Sequence, residues 1–575
     1  MNERYLSLRA HLKHYSNEVD YEFKLEEVDQ IWFCSRKNTK RILRQLEQAN
    51  LLAYQPGKGR GNVSKLTYPT SFQYDIERYI DKCVNDEQLD LIAQLLRLPI
   101  PKSWVANSSK EIRELLGFQR DDSDSRDVLH TFKARDITTL DPLKVSISLE
   151  THLIEYLGDT LVRYDSEKDC FVPHLAHHFH VDETQTVWTF YLRKSVSFHN
   201  GEYVTSKDVA HTIERMKTSS PSYSWLARNI MKVECPHQHK IVMHLDRPNG
   251  FFLRYLSAIN FCILPANVEF NEYEWIGTGP FRLKERTAHK LVLEAHDTYF
   301  KERPLIDEIH FYQVTKDAAK TVYLAGDENA ANITPSNHKI NDAGIRLLAY
   351  NLKRQNNIQQ PSFREAIYHL FDVEKMAREL NMEIKEASSF EIERSTPQIR
   401  EPERIIGLLE EAGYRGEPIH LYHFDNYYAV LEAEWLKKEA KTYGISIQLH
   451  TISFWNFSDE GMEDGIDILI MGLALSFDKH LAFSYAFKNK ALLFNRMFHP
   501  DVEAFIYKKL EDFEFESKKQ KREKLMEEME QYLQKEFALF FLYHPIVTRA
   551  LDPLIQDVES HSFGHLDFTK LWLPS

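Results

Sequence analysis

The chain has 575 residues and a mass of 67.8 kDa, a length that predicts roughly two to four domains at about 150 residues each. Its composition, with 43% apolar, 12% aromatic and 27% charged residues, excludes a mainly disordered or fibrous protein. The formal net charge of -14 argues against nucleic-acid binding by the chain as a whole, but the charge has to be examined segment by segment.

Positive charge is concentrated near the start of the sequence. Residues 32–68 contain eight Lys or Arg and one acid, and residues 1–70 carry a net charge of +4, which leaves -18 on the other 505 residues. Such an asymmetry is the electrostatic footprint that phosphate binding requires.

The hydrophobic pattern of residues 1–70 predicts three helices followed by a β-hairpin. Apolar spacing indicates helices near 5–12 and 25–32, and a third over 36–50 that Ser35 is placed to cap through its hydroxyl. Two strands joined by the basic, glycine-rich turn GKGRG follow. Together these elements predict a winged helix-turn-helix, whose third helix enters the major groove of DNA while the hairpin lies along phosphates.

The predicted contacts to double-stranded DNA lie on the third helix and in the hairpin. They are Ser35, Arg36, Lys37, Asn38, Thr39, Lys40, Arg41, Arg44, Lys58, Arg60 and Lys65. About half or more of protein–DNA hydrogen bonds go to the backbone, so each of these residues can contact phosphate rather than a base. The alternative for the whole segment is a small helical docking domain with a solvated charged face.

Residues 71–127 are expected to form a helical linker. Apolar spacing predicts three short helices with a break at Pro99 and Pro101. The polar stretch QRDDSDSRD at 119–127 is the best candidate for a domain boundary. The helices can serve as a spacer or as a dimer interface, and the sequence does not choose between them.

From residue 128 onward the pattern becomes mixed α/β, and several motifs occur in order. The segments PHLAHHFHVDETQTVWTFYLRKSVSFHNGEYVTSKDV, GTGPFRL and LIDEIHF resemble those of the family 5 solute-binding proteins, which bind oligopeptides, dipeptides or nickel. This resemblance implies a two-lobed α/β module of the type II periplasmic-binding-protein class over 128–575. We expect its first lobe at about 128–345 plus 535–575 and its second lobe at about 346–534.

A winged helix ahead of such a module resembles the SgrR group of transcriptional regulators. The resemblance implies a multidomain regulator whose solute-binding domain senses a small molecule, such as a peptide or a sugar phosphate, and modulates promoter binding. The ligand class stays open, because the segment MEIKEASSFEIERSTPQ is shorter than the corresponding loop of the transporter family. A further alternative is a DNA-binding protein whose second module has lost ligand binding and only mediates contacts. A homodimer, with two DNA-binding heads on one operator, is compatible with this arrangement.

Candidate ligand residues are those that follow predicted strands, where the pockets of such modules form. They are Asp141, Trp225, Trp275, Thr278, Tyr350, Asn351, Phe477 and Asp478. Ordinary packing or turn chemistry is the alternative for each of them.

We expect neither catalysis nor a bound metal or other cofactor. The sequence contains no GxSxG and no HExxH motif. The histidines of HxxHHxH, which are His174, His177, His178 and His180, suggest a metal site, but they fall on a segment that resembles a family 5 strand. The five cysteines are widely spaced, without a CxxC motif, so a disulfide framework is not expected.

The start of the sequence lacks the basic and apolar regions of a signal peptide, and no run of about 18 apolar residues predicts a membrane span. We therefore expect a cytoplasmic protein that does not contact a membrane. The alternative is the solute-binding component of an ABC-type peptide or nickel uptake system with an incidental N-terminal domain.

Overall fold

The chain folds into an N-terminal unit, residues 3–116, and a two-lobed α/β module. A computed structural model describes residues 3–57, 63–121, 126–133, 135–219, 222–324, 336–341, 344–476, 478–551, 556–558, 565–572 and 574. Lys58 and Arg60 of the predicted DNA contacts and Phe477 of the predicted ligand residues lie outside this described part of the chain.

Helices and a small antiparallel sheet form the winged helix. The elements are α1 (Glu3–His11), β1 (Tyr21–Phe23), α2 (Leu25–Ile31), α3 (Arg36–Gln48), β2 (Ala53–Gln55) and β3 (Ser64–Thr67). Strand β1 pairs with the predicted hairpin, and the order is β1-β3-β2. The sequence pattern did not predict β1, because a strand of three residues is too short to show an alternation.

Helix α3 begins and ends close to its predicted positions. Ser35 occupies the N-cap position with an extended backbone, but its hydroxyl accepts no capping hydrogen bond, contrary to our expectation. Asn50 adopts a left-handed conformation with a φ of 56°, as is typical just after a helix C-terminus.

The helices that follow the winged helix share its core. They are α4 (Phe72–Asn85), α5 (Leu89–Leu96), α6 (Lys102–Ala106) and α7 (Ser109–Glu114). Phe72, Ile80 and Leu96 pack in the same apolar cluster as Leu43 and Leu66 of the winged helix. Residues 71–116 are therefore part of one packed unit with the winged helix.

The first lobe contains two main sheets. Its elements are β4 (Gly117–Asp121), β5 (Arg126–Lys133), α8 (Ser148–Leu157), β6 (Val162–Asp165), β7 (Cys170–Pro173), β8 (Ala176–Val181), β9 (Val187–Leu192), α9 (Ser206–Ser219), β10 (Ile230–His237), β11 (Lys240–Leu245), α10 (Phe252–Ser257), β12 (Phe281–Arg286), β13 (Lys290–Ala295), β14 (Glu308–Gln313) and α11 (Lys316–Leu324). One sheet has the order β12-β13-β14-β5-β4 and the other β10-β11-β9-β8. The boundary expected at 119–127 falls on β4 and β5, because residues 119–121 pair with residues 126–128 in an antiparallel ladder.

The second lobe is built on a mixed sheet. Its elements are β15 (Ser336–Asn341), β16 (Gly344–Tyr350), α12 (Pro361–Leu370), α13 (Val373–Leu380), β17 (Ile384–Glu386), α14 (Ile405–Glu411), β18 (Ile419–Phe424), α15 (Tyr427–Thr442), β19 (Ile447–Ile452), β20 (Ile468–Ala474), α16 (Lys479–Lys488), α17 (Pro500–Phe515), α18 (Lys519–Lys535) and β21 (Leu539–Leu551). The strand order is β15-β21-β16-β20-β18-β19, with β17 paired to β21.

Two segments lie in a different lobe from the one expected. Strands β15 and β21 belong to the second-lobe sheet, whereas the sequence placed residues up to 345 and from 535 onward in the first lobe. Backbone pairing decides this, because β21 is hydrogen-bonded to both β15 and β16. The chain then returns to the first lobe, where the Tyr156 hydroxyl donates to the carbonyl oxygen of Leu566 over 2.8 Å and Leu571 is buried.

Within the described residues, no helix is both long and apolar enough to cross a membrane. The five cysteines are all free thiols.

Candidate DNA interface and ligand cleft

Helix α3 has one apolar face and one cationic face. Ile42, Leu43 and Leu46 point into the core of the N-terminal unit. The exposed side chains on the other face are those of Arg36, Lys37, Lys40, Arg41 and Arg44. The structure thus brings these five predicted contacts together on one surface, in the geometry that a recognition helix requires.

Thr39 is not part of that surface, which corrects its place among the predicted DNA contacts. Its side chain is fully buried, and its hydroxyl donates to Oδ1 of Asp29 over 2.5 Å. Helical periodicity explains the difference, since Thr39 lies three and four residues before Ile42 and Leu43 and therefore shares their inward face.

Some cations of the interface already have acidic neighbours. Nη2 of Arg36 lies 2.9 Å from Glu26 and its Nε lies 3.3 Å from Asp29, in an exposed cluster. Nζ of Lys65 in β3 lies 3.8 Å from Asp20 and 3.7 Å from Glu22. These exposed pairs are weak enough for a phosphate to compete with them.

The remaining predicted residues are also at the surface of α3. Ser35 is exposed, and Asn38 is half-buried. Nη2 of Arg41 donates to Oδ1 of Asn38 over 2.8 Å, which orients the amide on the cationic face.

A cleft of about 1430 Å³ separates the two lobes of the module. Side chains from both lobes line it, and the polar ones include Ser146, Glu155, Asp159, Arg163, Tyr223, Asn260, Lys316, Arg346, Glu383, Asp425, Asn426, Asp478, Tyr485 and Asn489. A volume of this size exceeds the 300–1,000 Å³ or so of typical small-molecule pockets.

Polar contacts cross the cleft at one end. The Tyr485 hydroxyl donates to Oδ1 of Asn260, and Nδ2 of Asn489 donates to the Tyr223 hydroxyl over 3.1 Å. The guanidinium of Arg135 lies 5.6 Å from the ring centroid of Phe454 in the opposite lobe. The lobes are therefore in contact in this structure, and a single apolar core extends from the sheet of β8–β11 into the second lobe.

A buried ion pair also joins the lobes. Nη1 of Arg254, in α10, donates to Oδ1 of Asp478, which caps α16 by accepting from the Leu481 amide over 3.1 Å. Nη2 of Arg254 lies 3.3 Å from Asp169, and Lys519 of α18 lies 3.1 Å from the same carboxylate. Burial raises the pKa of Asp169, but the Tyr164 hydrogen bond and these cations together bring it down to about 2.

Of the predicted ligand residues in the described part of the chain, only Asp478 lines the cleft. Its Oδ2 atom is buried and has no hydrogen-bond partner among the described residues. Because this oxygen is shielded from solvent, it does not face the open cleft.

The other predicted ligand residues form structural contacts instead, which corrects their assignment. Trp275 is buried and donates to the carbonyl oxygen of Leu140 over 2.7 Å, while Tyr350 is buried and donates to that of Arg364 over 3.2 Å. Asn351 donates to the carbonyl oxygen of Glu463 over 2.8 Å.

Three more predicted residues also lie away from the cleft lining. Oδ1 of Asp141 accepts from Arg215 over 2.8 Å and from the Leu143 amide over 3.0 Å. Trp225 packs edge-on against Tyr255 and Tyr485, at centroid distances of 5.5 Å and 5.4 Å. Thr278 is buried and supports a cleft residue, because its hydroxyl donates to Asp159 over 3.0 Å.

The histidines of HxxHHxH are divided between the interior and the surface. His174 is buried beside Asp159 at 2.5 Å, and burial lowers its pKa to about 4. His177, His178 and His180 surround the Tyr191 ring at centroid distances of 6.3 Å, 5.9 Å and 5.9 Å. Among the described residues, no group of three His, Cys, Asp or Glu is arranged to hold a metal ion.

Sequence reasoning missed most residues of the cleft. Arg163, Tyr223, Asn260, Tyr485 and Asn489 come from segments that no local pattern connects. The only signal available was that Asp478 stands before a predicted helix, where a carboxylate caps the helix.

The two lobes, the crossing contacts and the cleft define a solute-binding module, preceded here by a winged-helix unit. Residues 171–492 match the family model of the bacterial extracellular solute-binding proteins, family 5. This match covers more than half of the sequence, so the chain belongs to that family. Residues 1–113 match the model described as sugar transport-related sRNA regulator N-term.

The chain also has relatives of known sequence. The uncharacterized protein YhjP of Bacillus subtilis is 29% identical over 444 residues, which are 74% of each chain. The HTH-type transcriptional regulator SgrR of Yersinia enterocolitica is 27% identical over 321 residues, which are 54% of this chain and 55% of the regulator. The chain thus spans about half the length of the SgrR regulators that it matches.

Solved structures confirm the fold. The Escherichia coli murein tripeptide binding protein MppA has a TM-score of 0.66 at 19% identity, over 78% of this chain and 98% of that protein. The Bacillus subtilis oligopeptide-binding protein AppA, in complex with a nonapeptide, also has a TM-score of 0.66 at 19% identity, over 78% and 99%. The predicted fold class and the predicted resemblance to the SgrR group are confirmed.

Proposed function

We propose that this chain is a DNA-binding transcriptional regulator whose family 5 module binds a small molecule between its lobes. The cationic face of α3, exposed on a winged helix, is the observation that carries the proposal. The SgrR relatives, which are named as HTH-type transcriptional regulators, support it. The solute-binding module alone would not require such a surface.

Helix α11 connects the module to the N-terminal unit. Its first residue, Lys316, lines the cleft, while Ala318 and Val322 are buried in the apolar core of the N-terminal unit. Arg113 of α7 donates to the carbonyl oxygen of Val322 over 2.8 Å. A movement of α11 therefore acts directly on the helices that support the DNA-binding head.

The same interface is held by polar contacts on its edges. Thr315 donates to the carbonyl oxygen of Leu96 over 3.2 Å, and Lys102 pairs with Asp317 at 2.9 Å. Arg97 donates to the carbonyl oxygen of Ala288 over 2.5 Å. In this proposal the head and the first lobe move as one body, and the second lobe moves relative to them.

In this proposal a ligand controls DNA binding through closure of the two lobes about their hinge. A ligand changes DNA binding only if it binds the open and closed forms with different affinity. Charged side chains of both signs line the cleft, among them Arg163, Lys316 and Asp425, which favours a ligand with polar or charged groups. Peptides and sugar phosphates both carry such groups, and both belong to the proposed ligand classes.

Location and assembly complete the proposal. We place the protein in the cytoplasm, where it can reach DNA, and we place the end of the DNA-binding unit near residue 116. A homodimer would bind two half-sites, since linking two heads raises their effective concentration on one operator.

The decisive experiment is a footprint of the purified full chain on DNA upstream of its own gene at low salt. We expect protection that disappears as salt is raised, because phosphate contacts release counterions. The absence of any footprint, together with location at the cell surface on fractionation, would favour a solute-binding component of an uptake system instead.

The ligand is tested separately by thermal shift with dipeptides, glucose 6-phosphate and Ni²⁺. A true ligand raises the melting temperature in proportion to its occupancy. We expect Asp425→Asn, which neutralises a carboxylate of the cleft lining, to reduce that shift while leaving the footprint in place. No shift with any probe would contradict the sensing role but not the DNA-binding role.

A further inference from the structure

Phe33 has an unusual environment for a large apolar side chain. It lies in the turn between α2 and α3, and its side chain is 95% exposed. Trp32, its neighbour, is buried and donates to the carbonyl oxygen of Arg4 over 3.1 Å. The turn therefore holds one aromatic ring inside the unit and directs the next one into solvent.

The backbone of Phe33 is also unfavourable for this residue type. Its φ is +47°, in the left-handed region, and it stands directly after Trp32, the C-cap residue of α2. Glycine or asparagine is usual at this position, because a Cβ atom there clashes with the backbone. Backbone strain of this kind clusters at functional sites, and at Phe33 it coincides with an exposed aromatic ring.

The surroundings of Phe33 indicate its partner. Ser35, the N-cap of α3, follows two residues later, and the exposed cations Arg36 and Lys37 come next. The first residues of a recognition helix contact base edges in the major groove. Phenylalanine is among the side chains that make apolar contacts with the 5-methyl group of thymine there.

We propose that Phe33 is a specificity residue that contacts a thymine methyl group in the major groove of duplex DNA. This inference rests on the proposed DNA-binding function. It adds apolar recognition of one base to a surface whose other predicted contacts are cationic or polar. The unfavourable backbone conformation of Phe33 in the free protein is then explained by the contact that its ring makes in the complex with DNA.

The test uses the full chain and a duplex selected from a randomised pool by the wild-type protein. We expect Phe33→Ala to weaken binding to the selected duplex by about 10-fold, the effect of losing one base contact. Binding to an unrelated duplex of equal length, and the dependence of affinity on salt, should not change, because phosphate contacts remain. Tyr74→Ala, at another exposed aromatic residue, is the matched control and should leave both affinities unchanged.

Replacing single thymines by uracil isolates the methyl group. One such replacement should weaken binding of the wild type and have no effect on Phe33→Gly. The glycine variant should also melt at the same or a higher temperature, since glycine adopts the positive φ without strain. Stability and DNA affinity are thus expected to change in opposite directions, which loss of folding cannot produce.

Two results would overturn the proposal. One is equal affinity of Phe33→Gly and the wild type for the selected duplex. The other is a difference in oligomeric state between Phe33→Gly and the wild type on sedimentation. Such a difference would assign the ring to an interface between copies of the chain. If the wild type itself bound neither duplex, the proposed DNA-binding function would fail instead, so the two failures are distinguishable.

Discussion

Arg254 of the first lobe and Asp478 of the second form an ion pair that is buried between the lobes. Asp478 also caps α16 with the same oxygen, so a single carboxylate orients a helix of one lobe and a guanidinium of the other. The neighbouring His480 is buried near both Arg254 and Arg522, and burial followed by these charges lowers its pKa to about 3. This ion pair between the lobes is therefore desolvated, and the removal of one of its partners should be costly.

The first prediction concerns that pair. Arg254→Met leaves the Asp478 carboxylate buried without its cation, which should lower the free energy of unfolding by about 3–5 kcal/mol. The matched control is Arg247→Met, because Arg247 also pairs across the lobes, with Glu511, but half of its side chain is exposed. That variant should cost about 1 kcal/mol or less in urea unfolding. Equal effects of the two substitutions would contradict the assignment of the buried pair.

A second prediction uses Glu530 of α18 as a source of pH dependence. Burial raises its pKa to about 7, against the opposing effect of Arg394 and of hydrogen bonds from the Phe390 amide and Ser389. Since the folded state holds this proton up to a higher pH than the unfolded state does, stability should fall as pH rises from about 4.5 to about 7 and then level off.

Glu530→Gln should remove this dependence. Its free energy of unfolding relative to that of the wild type should therefore rise by on the order of 1–3 kcal/mol as pH is raised from 5 to 8. Urea unfolding at several pH values measures it. Glu527→Gln, at an exposed position of the same helix, is the control and should follow the wild-type profile. A constant difference between Glu530→Gln and the wild type at all pH values would refute the prediction.

The third prediction separates the two faces of α3. Lys40→Ala should weaken DNA binding uniformly across sequences and reduce the slope of log affinity against log salt by about 1, because it removes one phosphate contact. Thr39→Val should not change that slope. It should instead destabilise the N-terminal unit by about 1–3 kcal/mol, since Asp29 loses its buried hydroxyl donor. Fluorescence anisotropy over a range of salt concentrations tests both variants, and a changed slope for Thr39→Val would be inconsistent with the buried side chain.

A fourth prediction tests the interface between the head and the sensor. Val322→Ala should open a cavity that costs about 2 kcal/mol. It should raise amide exchange roughly 30-fold in both α11 and α7, since Val322 of α11 and Ile112 of α7 belong to the same apolar cluster. Val373→Ala, an equally buried valine in α13, should raise exchange in the second lobe alone. Hydrogen-exchange mass spectrometry resolves the segments. Exchange confined to α11 in the first variant would show that the N-terminal unit does not share this core.

Much of the N-terminal unit was predictable from sequence because its signals are local. Helical periodicity and charge placed α3 and its cationic face, whereas the side on which Thr39 lies and the capping hydrogen bond of Ser35 were predicted incorrectly. In the second half, motifs in register indicated the family and its two lobes. The polar run at 119–127 was misleading, because polarity is compatible with an exposed hairpin as well as with a linker.

The sequence by itself determined the order of the units, the winged helix and the membership of the binding family, since these depend on periodicity and on contiguous motifs. The tertiary structure alone decided which side chains line the cleft, how β21 joins the second lobe and how α11 contacts the head. Residues such as Asn260 and Tyr485 are 225 positions apart and meet only when the lobes pack together. Such contacts depend on the three-dimensional path of the backbone, which no local pattern specifies.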